Sequence, residues 1–228
     1  MIPSDTRSGW TLRPALDDVR TALMCGGVLV PLFAAVYGTC NWLTAQRGDL
    51  QRFYFDWELA IPFVPAMVCV YLSLIVTFFL PVFCLRGPAL VTLSRRLGWG
   101  TVLSGFVFLL LPASLGFERP EEVPGWEAVF RLIHLVDHPH NLVPSMHIIW
   151  SGLILGTLRG TSPAWARRLF EVWFALICVS VVLVHQHHLI DVFGGILAAA
   201  AVAWAIGAED RWRVSGGLQS TRHQGRTS

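Results

Sequence analysis

The chain has 228 residues, 54% of them hydrophobic and only 14% charged, with 10 Trp, a mean hydropathy of +0.56 and a formal net charge of +2. That composition is far from a water-soluble domain, and no concentrated basic face suggests a nucleic-acid partner. It describes a chain that lives in a bilayer.

Six apolar runs follow one another: residues 21–43, 59–85, 97–117, 142–158, 169–184 and 189–208. Most approach the roughly 20 residues that cross about 30 Å of hydrocarbon. The expected fold class is therefore all-α, a polytopic bundle of six transmembrane helices over residues 21–208. A polar cytoplasmic lead-in (1–20) and a flexible cytoplasmic tail (209–228) flank it. The fourth and fifth runs are short, so their helices are expected to start or stop within the polar motifs beside them. The first run lies too far in and is too long for the h-region of a cleavable signal peptide.

Arginine alone sets the orientation, because the chain has no Lys. Arg7, Arg13 and Arg20, then Arg86, Arg95 and Arg96, then Arg159, Arg167 and Arg168, and the arginines of the tail fall on the side of the N-terminus. Only Arg47, Arg52, Arg119 and Arg131 fall on the other. The positive-inside rule then puts both termini in the cytoplasm of an inner, plasma-membrane protein.

In chain order, Trp10, Leu12 and Leu16 form a short surface-lying pattern to which no chemistry is assigned. The first helix carries Cys25, Gly26, Gly27 and Asn41, read as packing positions and an interhelical hydrogen bond. Phe53, Tyr54, Phe55 and Trp57 read as an aromatic belt at the outer interface, with Arg52, Asp56 and Glu58 at the rim of any site there. Pro62, Pro65 and Pro81 bend or start helices in the second run, where Met67, Cys69 and Tyr71 read as packing. The five cysteines all lie in apolar runs without metal-ligand spacing, as buried small hydrophobes. Trp126, Val129, Phe130, Ile133 and Val136 recur at helical spacing, which predicts an interfacial helix over the outer mouth.

Two polar clusters then converge on the outer side. The first runs from Asp137 through His138, His140, Asn141, Pro144 and Ser145 to His147, where a helix start would offer unpaired amides to an anion. The second holds His185, His187, His188 and Asp191 between the last two apolar runs. His187 and Asp191 are spaced i, i+4, so on a helix the carboxylate can hold one ring nitrogen and leave the other free to attack or to take a proton. Charge at such a depth is costly and is usually functional. The last run, with Gly194, Gly195 and Ala198 to Ala201, offers a small-residue face to a neighbour, within the chain or in a second copy as a homo-oligomer.

Pro144-Ser145-x-His147 followed by His187-x-x-x-Asp191 resembles the second and third signatures of the type 2 phosphatidic acid phosphatase and vanadium haloperoxidase superfamily. The resemblance implies a six-helix core and a phosphoric-ester hydrolase or phosphotransferase that needs no metal and no cofactor. It implies that His187 attacks phosphorus, Asp191 orients it and His147 protonates the leaving oxygen. Ser145 matches the residue that hydrogen-bonds phosphoryl oxygens, and Arg119-Pro120 resembles the end of the first motif. Two cations of the pattern are missing, since Pro112 stands where the first motif has Lys and Val181 where the third has Arg. Their loss, with the run from Asp137 through Asn141 and Ser145 to His147, resembles the inositol phosphorylceramide synthase-like branch, whose members move a phospho-alcohol between lipids. Arg119, helix amides and His185 are then expected to meet the phosphate charge, with Asn141 beside them. The expected partner is a phospholipid or lipid phosphate in the bilayer. Two other readings stay open, a histidine-based metal- or haem-binding membrane protein and an inactive scaffold of the same fold.

Overall fold

The computed structural model describes residues 14–120 and 122–224, with side chains through residue 208. Trp10 and Leu12 lie outside the described residues. Eight α-helices are described: α1 (Leu16–Ala45), α2 (Val68–Leu72), α3 (Leu74–Cys84), α4 (Gly87–Leu110), α5 (Glu127–Val136), α6 (Met146–Gly160), α7 (Ala164–Leu183) and α8 (Leu189–Gln224). Among the described residues there is no strand, only an isolated bridge between Gln51 and Ala113. The chain is all-α, and three stretches are long and apolar enough to cross a membrane: Leu16–Ala45, Pro65–Cys84 and Leu189–Ala208.

Each apolar run meets a helix, but several ends move. α1 begins at Leu16, inside the expected lead-in, and Asp18 is buried. Its carboxylate takes the Gly87 amide at 2.9 Å and pairs with Arg86 at 2.9 Å, so it caps the start of α4 from another helix. α4 starts ten residues before its apolar run and stops at Leu110, leaving 112–117 outside any helix. The second run is broken, because Pro62 and Pro65 lack the amides a continuous helix needs. Short 3₁₀ turns at Asp56–Ala60 and Pro65–Met67 precede α2 there, and the Val64 amide instead bonds the Leu183 carbonyl at 2.8 Å. α8 continues to Gln224, well into the expected tail.

α6 is the centre of the bundle and packs against α3, α4, α7 and α8. Ile148, Ile149, Leu153, Ile154, Leu155 and Leu158 are all buried, the all-round apolar pattern of a core helix. Lipid tails are as apolar as these side chains, so association depends on close approach rather than on leaving water. Glycines supply it: a Cβ on Gly100 of α4 would lie 2.9 Å from Ile149, and one on Gly195 of α8 would lie 2.8 Å from Ile148 and 2.9 Å from the Ser145 carbonyl. The small-residue face of the last run is thus used, at Gly195, against the chain's own α6. α1 packs chiefly along α4. Cys40 and Cys84 are buried as expected, Cys25 and Cys178 are half-buried, and Cys69 is exposed.

Candidate active site

The local structure around His187 begins with the way α7 ends. The Gln186 amide bonds the Val181 carbonyl and the His185 amide that of Val182, both at 3.0 Å, which is a Schellman motif. His185 takes its left-handed position at φ 55°, where glycine is the usual residue. The ring offsets that cost by stacking on Phe117, centroids 4.0 Å apart, and by contacting the Ile61 carbonyl through Nε2 at 3.0 Å. His185 is therefore spent on the turn and does not line the cleft, contrary to its expected part in meeting phosphate. The His187 amide also reaches the Val181 carbonyl at 3.0 Å, which fixes the direction in which its side chain leaves.

Asp191 lies in the first turn of α8 and its Oδ2 accepts the His188 amide at 2.8 Å, half of a capping box. The same oxygen faces His187 Nδ1 at 3.2 Å. The i, i+4 pair thus forms, but across the start of a helix rather than along one helix face, since His187 precedes Leu189. Both side chains are nearly dry, 5% and 1% exposed. Ser145 precedes α6, and its amide bonds the Asp191 carbonyl at 3.0 Å, which ties the beginnings of α6 and α8 together. Pro144 consequently sits just outside α6 rather than in its first turn.

This tie brings His147 Nδ1 to 3.2 Å from His187 Nε2. Behind His147, Tyr71 Oη lies 2.8 Å from Nε2 and also donates to Asp137 Oδ2. Tyr37 donates to the other Asp137 oxygen at 3.4 Å. A proton count follows from the donors available. Asp191 accepts, so His187 carries a proton on Nδ1. Tyr71 has one proton and gives it to Asp137, so His147 must supply the hydrogen at Nε2. The contact with His187 takes one more proton, on His147 Nδ1 or on His187 Nε2. Every bond in the string is made when the two rings together carry one positive charge, and with that charge on His147 they are an acid beside a nucleophile. Burial opposes that charge, and the Asp137 carboxylate 3.7 Å away favours it.

The cleft in front of the two imidazoles is lined by Tyr37, Arg119, Asp137, His138, Asn141, Leu142, His147, Gln186 and His187. Arg119 donates to the Asp137 carbonyl at 2.7 Å and to Gln186 Oε1 at 3.3 Å, while its Nε is buried without a partner. Burial holds its pKa below the usual guanidinium value, and Asp137 opposes that shift. Asn141 donates to the Tyr37 carbonyl at 2.9 Å, and its Oδ1 is unpartnered. Ser145 Oγ is buried and unpartnered, but Ser145 is not part of the cleft wall. Of the residues expected from sequence, the structure gathers His187, Asp191, His147, Arg119 and Asn141.

Tyr71, Tyr37 and Gln186 are additions that sequence reasoning missed. In the sequence Tyr71 reads as packing, yet a phenol inside an apolar run needs a partner for its hydroxyl. Glu58 is also reassigned, from a rim position to a fully buried anchor. Its carboxylate takes the amides of Phe55 at 3.0 Å and Leu189 at 2.9 Å. It also faces His188 Nδ1 at 3.4 Å. The His188 ring lies between Tyr54 and Phe117, at 4.3 and 4.2 Å, and its Nε2 accepts the Gly116 amide at 3.0 Å. Its remaining proton therefore points at Glu58, and burial pushes its pKa down. This cluster clamps the segments 54–58 and 116–117 onto the α7–α8 corner. Among the described residues no three His, Cys, Asp or Glu side chains are grouped so as to hold a metal ion.

The described residues thus define an all-helical protein with three stretches long and apolar enough to cross a membrane and a cleft with paired imidazoles. No family model matches the sequence, and neither does any curated protein.

Proposed function

We propose that this chain is a membrane-embedded phosphoryl-transfer enzyme of the phosphatidic acid phosphatase type, working through a phosphohistidine on His187. It is a lipid phosphate phosphatase if water is the acceptor and a lipid phosphotransferase if a lipid alcohol is. The observation that carries the reading is the string Asp191, His187, His147, with Arg119 on the wall of the same cleft. The match of apolar runs to helices and the arginine asymmetry support six spans, cytoplasmic termini and a cleft at the outer face of the plasma membrane.

In the first step a phosphoryl group parts the two imidazoles, and His187 Nε2 attacks phosphorus as the bond to the lipid oxygen breaks. That oxygen takes the proton from His147 Nδ1. Asp191 holds His187 in the attacking tautomer and stabilises the charge it gains. In the second step neutral His147 takes a proton from water or an alcohol, whose oxygen displaces His187 from phosphorus. Arg119 and the amides at the start of α6 meet the phosphoryl charge, so positioning and electrostatics carry most of the catalysis.

The test follows labelled phosphate from a phospholipid panel, with and without a lipid alcohol, using purified wild type and His187→Ala. Inorganic phosphate from wild type alone establishes the phosphatase, and a labelled lipid that needs the alcohol establishes the transferase. Absence of any His187-dependent product refutes both.

A further inference from the structure

Four rings form one stack beside the candidate active site, in the order Tyr54, His188, Phe117 and His185. Successive centroids are 4.3, 4.2 and 4.0 Å apart, and neighbouring planes lie within 16° of parallel. The two histidines flank Gln186 and His187, so the stack joins both sides of that turn to the segment that carries Phe117. Stacking alone would be packing, but the polar contacts of His188 give it a direction. Its Nε2 accepts the Gly116 amide at 3.0 Å, and its Nδ1 faces Glu58 at 3.4 Å. A Cβ on Gly116 would run into the Tyr54 ring, so the backbone reaches His188 there only because the residue is glycine.

Gly116 lies shortly before Arg119, the cation on the cleft wall. Residues 115–119 lie outside any helix, and among the described residues they make no backbone–backbone hydrogen bond. The Arg119 side chain is held at its far end, by the Asp137 carbonyl at 2.7 Å and Gln186 Oε1 at 3.3 Å. The backbone behind it is fixed by the His188 side chain, which belongs to the residue next to the candidate nucleophile. His188 also gives its own amide to Asp191 Oδ2 at 2.8 Å. One residue thus touches both the carboxylate that faces His187 and the segment that delivers Arg119.

We infer that His188 is a positioning residue for Arg119: as a neutral ring accepting at Nε2 it fixes the Gly116 backbone and so sets the guanidinium at the cleft, and on gaining a proton it releases that segment. The inference deepens the phosphoryl-transfer reading and rests on it for what Arg119 meets. A ring protonated at both nitrogens cannot accept from Gly116, because two N–H groups would then face each other. The groups around the ring are Glu58 from the turn Asp56–Ala60, Asp191 from α8 and His187 beside it. Arg52 lies 5.2 Å from the centroid of Tyr54, His185 stands across Phe117, and the Glu118 side chain is exposed. Burial opposes the extra proton, the two carboxylates favour it, and burial is the larger effect. The ring therefore stays neutral until pH falls below the ordinary histidine range. Substrate affinity becomes pH-dependent through a side chain that does not line the cleft.

The test uses the full chain in lipid nanodiscs as wild type, His188→Gln and His188→Phe. Glutamine offers a carbonyl oxygen to Gly116 and an amide proton to Glu58, and it does not titrate. Phenylalanine keeps the stack and removes both polar contacts. Two readouts are taken between about pH 5 and 8. One is amide exchange of the peptide 113–119, corrected for the intrinsic pH dependence of exchange. The other is kcat and KM with phosphatidic acid, each variant being compared with wild type at the same pH so that ionisation of the substrate cancels.

In wild type the peptide is expected to be protected at about pH 8 and to lose about tenfold in protection below about pH 6.5, with KM rising by a similar factor relative to His188→Gln. His188→Gln keeps its protection across the series. His188→Phe exchanges fast at every pH and shows a KM about tenfold higher with kcat within about threefold, because Arg119 meets the phosphoryl charge in ground and transition states alike. Protection in wild type that ignores pH, or that His188→Phe retains, overturns the inference. So does a loss confined to kcat, which would put His188 behind His187 instead of Arg119. If His188→Phe does not fold, wild type against His188→Gln still decides, since only the titrating ring can lose protection toward acid. The expected exchange pattern without turnover in any of the three keeps His188 as the holder of the Arg119 segment and removes the phosphoryl-transfer reading. Turnover with pH-independent protection does the reverse.

Discussion

Tyr71→Phe is the perturbation that tests the proton count most directly, because it removes one oxygen and leaves the ring. That oxygen lies 2.8 Å from His147 Nε2 and donates to Asp137. Without it the His147 imidazolium has no acceptor at Nε2, and the Asp137 carboxylate keeps only the long bond from Tyr37 at 3.4 Å among its side-chain donors. A hydrogen bond to a charged group contributes about 1.5–3 kcal/mol, and about 1.4 kcal/mol is tenfold in rate, so kcat should fall by roughly 10- to 150-fold. KM should move little, because Arg119, Asn141 and Gln186 are untouched. The rate requires protonated His147 and falls as pH rises through its titration. Weaker retention of that proton, between Asp137 on one side and His187 on the other, shifts the high-pH limb toward acid. The assay is kcat, KM and a pH profile on detergent-solubilised protein, with a thermal melt to separate folding from chemistry. A kcat within about twofold of wild type and an unmoved limb would refute the assignment of Tyr71 as the group behind His147, whatever the melt showed.

Four further outcomes follow from the same geometry. Asp191→Asn keeps an acceptor for the His188 amide but no longer fixes the His187 tautomer, so turnover should drop by about 10- to 100-fold or more with the melt little changed; near-normal activity would remove its orienting role. His185→Asn places a residue tolerant of left-handed backbone in the Schellman turn, so it should lower the melting temperature while turnover stays within about threefold of wild type, and a larger loss would return His185 to the chemistry. Burial holds the His188, His185 and His140 pKa values below the ordinary 6.5. These rings therefore add stability above about pH 6.5 that is lost as pH falls toward their folded values, because the unfolded chain binds the protons first. Melts in detergent between about pH 8 and 5 should show that decline, and a flat series would mean the rings are not held neutral. Gly195→Val pushes into Ile148 and the Ser145 carbonyl, so it should cost both stability and turnover, and an active, stable variant would contradict the close α6–α8 approach.

How much of this was legible in the sequence depended on whether a residue's use is local. His187 and Asp191 are four apart, and Ser145 and His147 open one helix, so spacing alone brought each pair into view. Arg119 and Asn141 came with the motifs around them. Tyr71 and Tyr37 did not, because their partners lie 66 and 100 residues away at Asp137. In an apolar run a tyrosine reads as packing until the fold shows where its hydroxyl goes. Helix ends failed for a related reason. Apolarity marks which residues suit a hydrocarbon environment, whereas the backbone of α4 continues through Arg95 and Arg96, the latter reaching Thr157 at 3.1 Å. Conversely, the second run is apolar throughout, but its prolines withhold amides, and the chain turns through 3₁₀ geometry instead.

The two positions where the resemblance led to the expectation of a cation, Pro112 and Val181, show the limit from the other side. Composition at Pro112 and Val181 records only that no charge is there. In the structure both positions serve through backbone: the Pro112 carbonyl accepts the Gln51 amide at 2.8 Å, and the Val181 carbonyl accepts those of Gln186 and His187 at 3.0 Å. The Val181 carbonyl is one of the bonds that aims His187, so that position acts on the candidate nucleophile without touching the cleft. Arg119 is left as the cation on the cleft wall. If a phosphoryl group binds there, a His147 imidazolium, one of the two charge states that the hydrogen-bond string allows, would set a second positive charge beside it and serve as the acid.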